Sequence, residues 1–305
     1  MFNKKRVLYT AGFLLLSLLL TISAVSAFWP FDKPKLSPNP STDVQLTVGN
    51  SAPIVTINSV NGGVPVTLNP GGTQPVTVTL NVQDPNGPAP TNIVESTLTI
   101  TLTSQDNPSE TRNLALVSTD CSTFDSVNYN CVIDMEYYDK SGIWDAVASI
   151  ADTSAAVGTS ELFPFNVNQL LDIAITTPIS FGTVAAGEQD RIIITPTTIT
   201  NQGNVEIPAD YSLKITGQFL GSTPPGNTIP SSSLNAAGNA GAATVCTAGT
   251  TLIDATPVII TGAALTKNPP TNTEDITYCL DVPSPLAEAS YSALGGGGLW
   301  TIEIA

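Results

Sequence analysis

Val76, Val78, Leu80 and Val82 occupy every second position of one short run, and Thr77, Thr79, Asn81 and Gln83 fill the positions between them. Successive side chains of a strand point to opposite faces, so this spacing gives one apolar and one polar face to a β-strand and suits no helix. The pattern returns at Leu98, Ile100 and Leu102 among Thr97, Thr99, Thr101 and Thr103. It returns again at Cys131, Ile133, Met135 and Tyr137, and at Trp144, Ala146, Ala148 and Ile150. Asp84-Pro85-Asn86-Gly87-Pro88 and Asn107-Pro108 interrupt it with turn-forming residues.

With Thr111–Val117 and Glu161–Val167 added, roughly seven short strands follow Pro53, the number and spacing of an immunoglobulin-like β-sandwich. A second series starts near Leu171. Ile173 and Ile175 open it, Ile179–Val184 and Arg191–Thr200 continue it, and Val205, Ile207, Ala209, Tyr211, Leu213 and Ile215 alternate after the turn at 201–204. Ile276, Tyr278, Leu280 and Val282 form a further inward face, and Leu299–Ile304 a last strand behind Gly295–Gly298. Residues 221–250, rich in Gly, Ala, Ser, Thr and Pro, read as one long loop. The expected fold is all-β: two tandem immunoglobulin-like sandwiches, residues 51–168 and 169–305.

Ahead of them, Lys4-Lys5-Arg6 precedes an apolar run from Val7 to Ala27. Val25-Ser26-Ala27 fits the small-x-small cleavage pattern, which predicts a signal peptide over 1–27 cut between Ala27 and Phe28. The run is also long enough to span a bilayer, and Phe28-Trp29-Pro30-Phe31 with Lys33 and Lys35 would form an interfacial belt for an uncleaved anchor. Both readings export the body, either free of the cell or held at its surface, with the N-terminal segment as the sole membrane contact. Residues 28–50, carrying Pro30, Pro34, Pro38 and Pro40, read as an extended linker.

Charge narrows the partners. Three of the ten basic residues lie in the leader and none of the 25 acidic ones does, so the remainder carries a net charge near −18. Such a surface repels phosphate backbones and anionic headgroups, which excludes nucleic acid. The 42% hydrophobic content, in regular alternation, excludes a disordered chain. Cys121 and Cys131 fall in one half, Cys246 and Cys279 in the other, as two intradomain disulfides of an oxidising compartment would. Cys131 should face inward with Cys121 on the preceding loop, a local staple. Cys279, on an outer strand face, would let Cys246 pin the long loop to the outside of the sheet.

Tyr138-Asp139-Lys140-Ser141-Gly142-Ile143-Trp144 resembles the corner between strands E and F of immunoglobulin domains, with one residue inserted and Trp at the aromatic position. An indole N–H then stands where a hydroxyl would, which leaves the corner hydrogen bond open. Ile179–Gly187, Thr198–Val205, Leu213–Gly217, Tyr278–Pro283, Tyr291 and Trp300-Thr301-Ile302 are similar in order to a β-sandwich module of exported archaeal proteins. Asp84–Gly87, the Cys121/Cys131 loop, Tyr137–Trp144 and Asp152 are similar to the module that often precedes it. Together they resemble exported two-domain proteins of small-genome archaea. That resemblance implies the cell surface and the sandwich fold, and no activity.

Chemistry is sparse. With no histidine, the usual general base and the serine and cysteine triads are missing, and no catalytic residue is expected. Asp134/Glu136 and Glu274/Asp275 are carboxylate pairs, read first as solvated strand faces. One cation site is worth carrying: Asp84 and Asn86, after one strand, and Asp152, after another, should share an end of the first sandwich and offer oxygens to calcium. No other cofactor is implied. The expected role is a non-enzymatic extracellular structural or interaction protein, whose partners are other surface proteins, itself or surface glycans. The alternatives are an adhesin-like glycan- or peptide-binding module, for which Tyr129, Tyr138 and Tyr291 are the aromatic candidates, and a filament subunit donating Leu299–Ile304.

Overall fold

The computed structural model of the protein describes residues 45–87, 91–115, 121–125, 127–175, 179–193, 195–207 and 211–305. The leader, the cleavage site at Ala27 and Phe28 and most of the linker lie outside them. No helix among the described residues is long and apolar enough to cross a membrane. The fold is all-β, in antiparallel sheets.

Nine strands make the first half: β1 (Ile54–Val60), β2 (Thr73–Gln83), β3 (Ile93–Ser104), β4 (Thr111–Ala115), β5 (Cys121–Asp125), β6 (Asn128–Glu136), β7 (Gly142–Asp152), β8 (Val157–Thr159) and β9 (Phe163–Val167). One sheet runs β1-β2-β6-β5. The other runs β4-β3-β7-β8, with β9 also on β7. Leaving out the β8 hairpin, this is the A-B-E-D and C-F-G order of an immunoglobulin sandwich, with β4 added at the edge. The alternating residues meet between the sheets. Val76, Val78, Leu80 and Val82 of β2 and Leu98, Ile100 and Leu102 of β3 are all within 1% of full burial, and so are Trp144, Ala146, Ala148 and Ile150 of β7.

The second half has shorter strands: β10 (Ile173–Ile175), β11 (Arg191–Ile192), β12 (Thr197–Asn201), β13 (Leu213–Thr216), β14 (Leu220–Thr223), β15 (Thr228–Ile229), β16 (Leu234–Ala237), β17 (Thr250–Thr251), β18 (Val258–Ile259), β19 (Thr273–Leu280), β20 (Ser290–Ser292) and β21 (Thr301–Ile304). They form a sheet ordered β10-β12-β19-β16-β17, with β11 on β19, and two three-stranded sheets, β18-β13-β21 and β15-β14-β20. Its core, around Ile199, Ile215, Leu234, Leu252, Ile276 and Tyr278, is distinct from the first. Residues 49–305 nevertheless form one compact unit.

Four expectations need correction, the first being Ile179–Val184, which carries no strand. The stretch 221–250 is not one long loop: β16 lies inside the sheet beside β19, with Leu234, Ala236 and Ala237 fully buried. Small residues let the backbones approach, and ladder hydrogen bonds are indifferent to side-chain identity, so a low-complexity composition hid a central strand. Among the described residues of the alternation from Val205 to Ile215, β13 is a strand and Ile207 makes an isolated bridge to Leu265, while Ala209 lies outside them. Cys121 starts a strand of its own, directly opposite Cys131, instead of sitting on a loop.

Candidate functional site

Both expected disulfides are present, Cys121–Cys131 across neighbouring strands and Cys246–Cys279, and no cysteine is free. Cys279 is on the outer face of β19, as its place in the alternation requires. The segment 239–248 covers it and closes a small separate cluster of Ala237, Val245 and Cys279. A group of Asp190, Cys246 and Cys279 atoms lies close together, but both sulfurs are spent in the disulfide and cannot act as thiolate ligands.

The corner after β6 is built around Trp144. Its indole N–H donates to the Lys140 carbonyl at 2.8 Å, so the corner hydrogen bond left open by the sequence is made, with a different donor. Asp139 sits inside the corner, 2% exposed, and takes a two-pronged pair from Arg112, at 2.9 Å from Nε and 2.6 Å from Nη2, together with the Glu136 N–H. Arg112 also stacks on the Tyr138 ring, 5.4 Å from its centroid.

This corner is the place where the two halves lock. Asn204 Nδ2 donates to the Asp139 carbonyl, Asn272 Nδ2 to the Tyr137 hydroxyl, and Lys267 Nζ to the Tyr138 carbonyl at 2.9 Å and Glu110 Oε1 at 2.6 Å. The Gly71 N–H adds a bond to the Gln202 carbonyl. Lys267 is 6% exposed, and a buried ammonium is tolerable only when it is paired and hydrogen-bonded as this one is. Burial alone would raise the Glu110 carboxyl. Lys267, the Lys140 N–H and Asn107 outweigh it and hold the group below its ordinary value of 4.5. Sequence reasoning named none of Glu110, Lys267 and Asn272, and placed Asn204 only in a turn. Their partners lie far away along the chain, and a lone polar residue in a turn carries no periodic signal.

At the far end of β2, Asp84, Asn86 and Asp152 are joined through residues 49–51. Asn86 Oδ1 accepts the Ser51 N–H, its amide donates to the Gly49 carbonyl, and Asn50 donates to Asp152 Oδ2 at 2.7 Å. Asp152 Oδ1 accepts the N–H groups of Ser154 and Ala156. Led by the Asn50 bond, these donors hold the carboxyl below its usual range. Asp84 Oδ1 accepts the Asn86 N–H, and of the oxygens on these three residues Asp84 Oδ2 is the one buried without a partner. The oxygens proposed for calcium therefore latch the entering chain to two loops.

The remaining candidates separate. Asp134 and Glu136 share the outer face of β6, and Glu274 and Asp275 lie on opposite faces of β19, so the latter cannot act as a pair. Glu274 is 5% exposed, and burial raises its pKa despite hydrogen bonds from Asn239. Tyr129 is buried, with its hydroxyl pushed up to about 12 by burial and Glu95, and is no surface aromatic. Tyr138 belongs to the joint. Tyr291 is half-buried and lines a cavity of about 900 Å³ in the second half, with Phe181, Val184, Leu286, Trp300 and Ile302. This apolar groove had no counterpart in the sequence reading.

No family model matches the chain, and no curated protein matches it. Among solved structures, 160 chains match. One is the adhesin InvE of Yersinia pseudotuberculosis, with 14% identity and a TM-score of 0.28 over 83% of this chain. The match spans 58% of that chain.

Proposed function

We propose that the protein is an exported, non-catalytic structural or interaction protein of the cell surface, in which two β-sandwiches act as one rigid presenting body. The observation that carries this reading is the joint at the Trp144 corner. Flexible tethering is the default between sandwich domains, and burying Lys267 and Asp139 between partners makes sense where a fixed separation of the two ends matters. The two disulfides support the exported compartment, because thiols are kept reduced in a cytosol. The test is labelling of intact expressing cells with a membrane-impermeant amine reagent, combined with small-angle scattering on the exported chain. Labelling from outside and one fixed inter-half distance are expected. Labelling only after lysis, or a broad distance distribution, would sink the reading.

The adhesin-like alternative has one observation of its own, the apolar groove beside β21, which a peptide could enter.

A further inference from the structure

Asp190, Cys246 and Cys279 present one carboxylate oxygen and two sulfurs within 4.8 Å of one another. Among the described residues, no other three side chains of cysteine, aspartate or glutamate bring their ligand atoms so near. While the disulfide is closed its sulfurs have no thiolate character. The bond is made only after the chain has been synthesised with two thiols, and in that state the same three groups form a different site.

Each group is placed by its own element. Cys279 lies in β19, paired with Ile192 of β11 on one side and Asn235 of β16 on the other. Asp190 stands just before β11, with its backbone left-handed at φ 55° and its N–H donated to Asp281 Oδ1 at 2.9 Å. Cys246 is in the short helix Val245–Ala248 of the cover. Polar ties reach this cover independently of the disulfide. The Asn239 N–H donates to Glu274 Oε1 at 2.7 Å, and the Asn235 amide donates to the Cys246 carbonyl at 3.3 Å. These ties shorten the search of Cys246 for Cys279 in the open chain, and a bridge between the two sulfurs is what closes the cover.

Two thiolates and a carboxylate are the donor set of a borderline-soft divalent ion such as zinc, and three protein ligands leave a fourth tetrahedral position to water. Asp190 is exposed, which gives ion and water a path in. The Asp281 carboxylate beside it and the chain's net charge of −15 favour the approach of a cation.

We propose that, in the chain whose Cys246–Cys279 bond is open, Asp190, Cys246 and Cys279 bind one divalent cation of the zinc class, which holds the 239–248 cover in place. Binding displaces one proton from each thiol. A small-molecule disulfide can then take two electrons from the thiolates, leaving as two thiolates itself; the sulfurs join and the cation departs. The cover thus has two closed forms, one bridged by metal and one by the disulfide.

The experiment is a cadmium titration, with cadmium standing in for zinc, of the exported chain carrying Cys121→Ser/Cys131→Ser and reduced with a phosphine under nitrogen. The cadmium–thiolate absorption band should saturate at one ion per chain with release of two protons, and amide exchange over 245–248 should slow by at least about tenfold. Asp190→Asn, altered only at an exposed residue, should bind at least about tenfold more weakly. The oxidised chain and a Cys246→Ser variant should show neither band nor protection, and oxidised glutathione should abolish the band of the loaded chain as the disulfide returns. Undiminished binding by Asp190→Asn would mean a bare dithiol, and equal binding by the oxidised chain a site on surface acids. A reduced second half that unfolds and is not restored by cadmium would mean that the three groups meet only through the disulfide. Each of these overturns the proposal, as does a band without protection of 245–248.

Discussion

The first half has the more fully buried core and the second the more half-buried one. Among the described residues, twenty-three buried residues make the first core, with five half-buried hydrophobic residues packed around it. The second has sixteen buried residues and twelve half-buried ones, among them Phe181, Leu286, Tyr291, Trp300 and Ile302. Strand length explains the difference. β2, β3 and β7 run 11, 12 and 11 residues, long enough for alternating side chains to fill the space between two sheets. Among the described residues of the second half only β19 reaches 8 residues, and the remaining strands are shorter pieces spread over three sheets. The groove beside β21 lies at the rim of this core.

The contrast is broken most severely by removing one large side chain from each core. Trp144 is fully buried and also anchors the corner, so Trp144→Ala should cost about 3–5 kcal/mol. Trp300 is half-buried at the groove, and Trp300→Ala should cost clearly less, about 1–2 kcal/mol. Urea midpoints for both variants check this. Equal losses would mean that the second core is as closed as the first.

The disulfides sharpen the comparison from the other side. Cys246–Cys279 closes a separation of 33 residues and Cys121–Cys131 one of 10. Loop-closure entropy then gives about 4 kcal/mol for the second half and about 3 kcal/mol for the first. Double Cys→Ser variants of each pair, followed by calorimetry, should show the second half suffering more. It also loses the cover over Ala237 and Val245.

The joint decides whether the two halves melt together. Lys267→Met leaves Glu110 without its cation and the Tyr138 carbonyl without its donor, at a cost of about 2–3 kcal/mol after allowance for the partial exposure of Glu110. A single unfolding transition should split into two, with the second half melting first. The pH dependence separates the halves as well. Glu110 titrates below 4.5 in the folded protein, so its contribution is complete above 4.5 and is lost as pH falls through the folded value. Glu274 titrates above 4.5, so its buried carboxylate destabilises at neutral pH, and that penalty fades as pH falls through its raised value. Mild acid should thus relieve the second half before stronger acid weakens the joint. The Lys267→Met chain should show the first effect and a reduced second one.

The sequence reading fared unevenly for the same reason that the halves differ. Alternation over Val76–Val82, Leu98–Leu102 and Trp144–Ile150 located β2, β3 and β7, because a face repeated three or four times outweighs any single residue. β16 was invisible because Leu234-Asn235-Ala236-Ala237 is too short and too small to show a period. Lys267 and Asn272 were invisible because hydrogen bonds across more than a hundred residues are written nowhere locally. The groove was invisible because the residues that line it, Phe181, Leu286, Tyr291 and Trp300 among them, come from separate stretches that share no period.

The smallest expected effect concerns the end of the first sandwich where the chain enters. Asp84, Asn86 and Asp152 have the residue types of a calcium site, but Asn50, Ser51, Asn86, Ser154 and Ala156 already donate to their oxygens. A cation would have to displace those donors and would have only Asp84 Oδ2 to gain without loss. With a dissociation constant of 1 mM or weaker, 1 mM calcium stabilises by no more than about 0.4 kcal/mol. Asp152→Asn exchanges an acceptor of the Asn50 amide for a group that can present a donor there. It should loosen residues 49–51 and speed amide exchange at Ser51, with or without calcium. A calcium-dependent stabilisation well above 0.4 kcal/mol that vanishes in Asp152→Asn would instead make this end a metal site. The first half would then hold its entering chain by an ion and not by a latch.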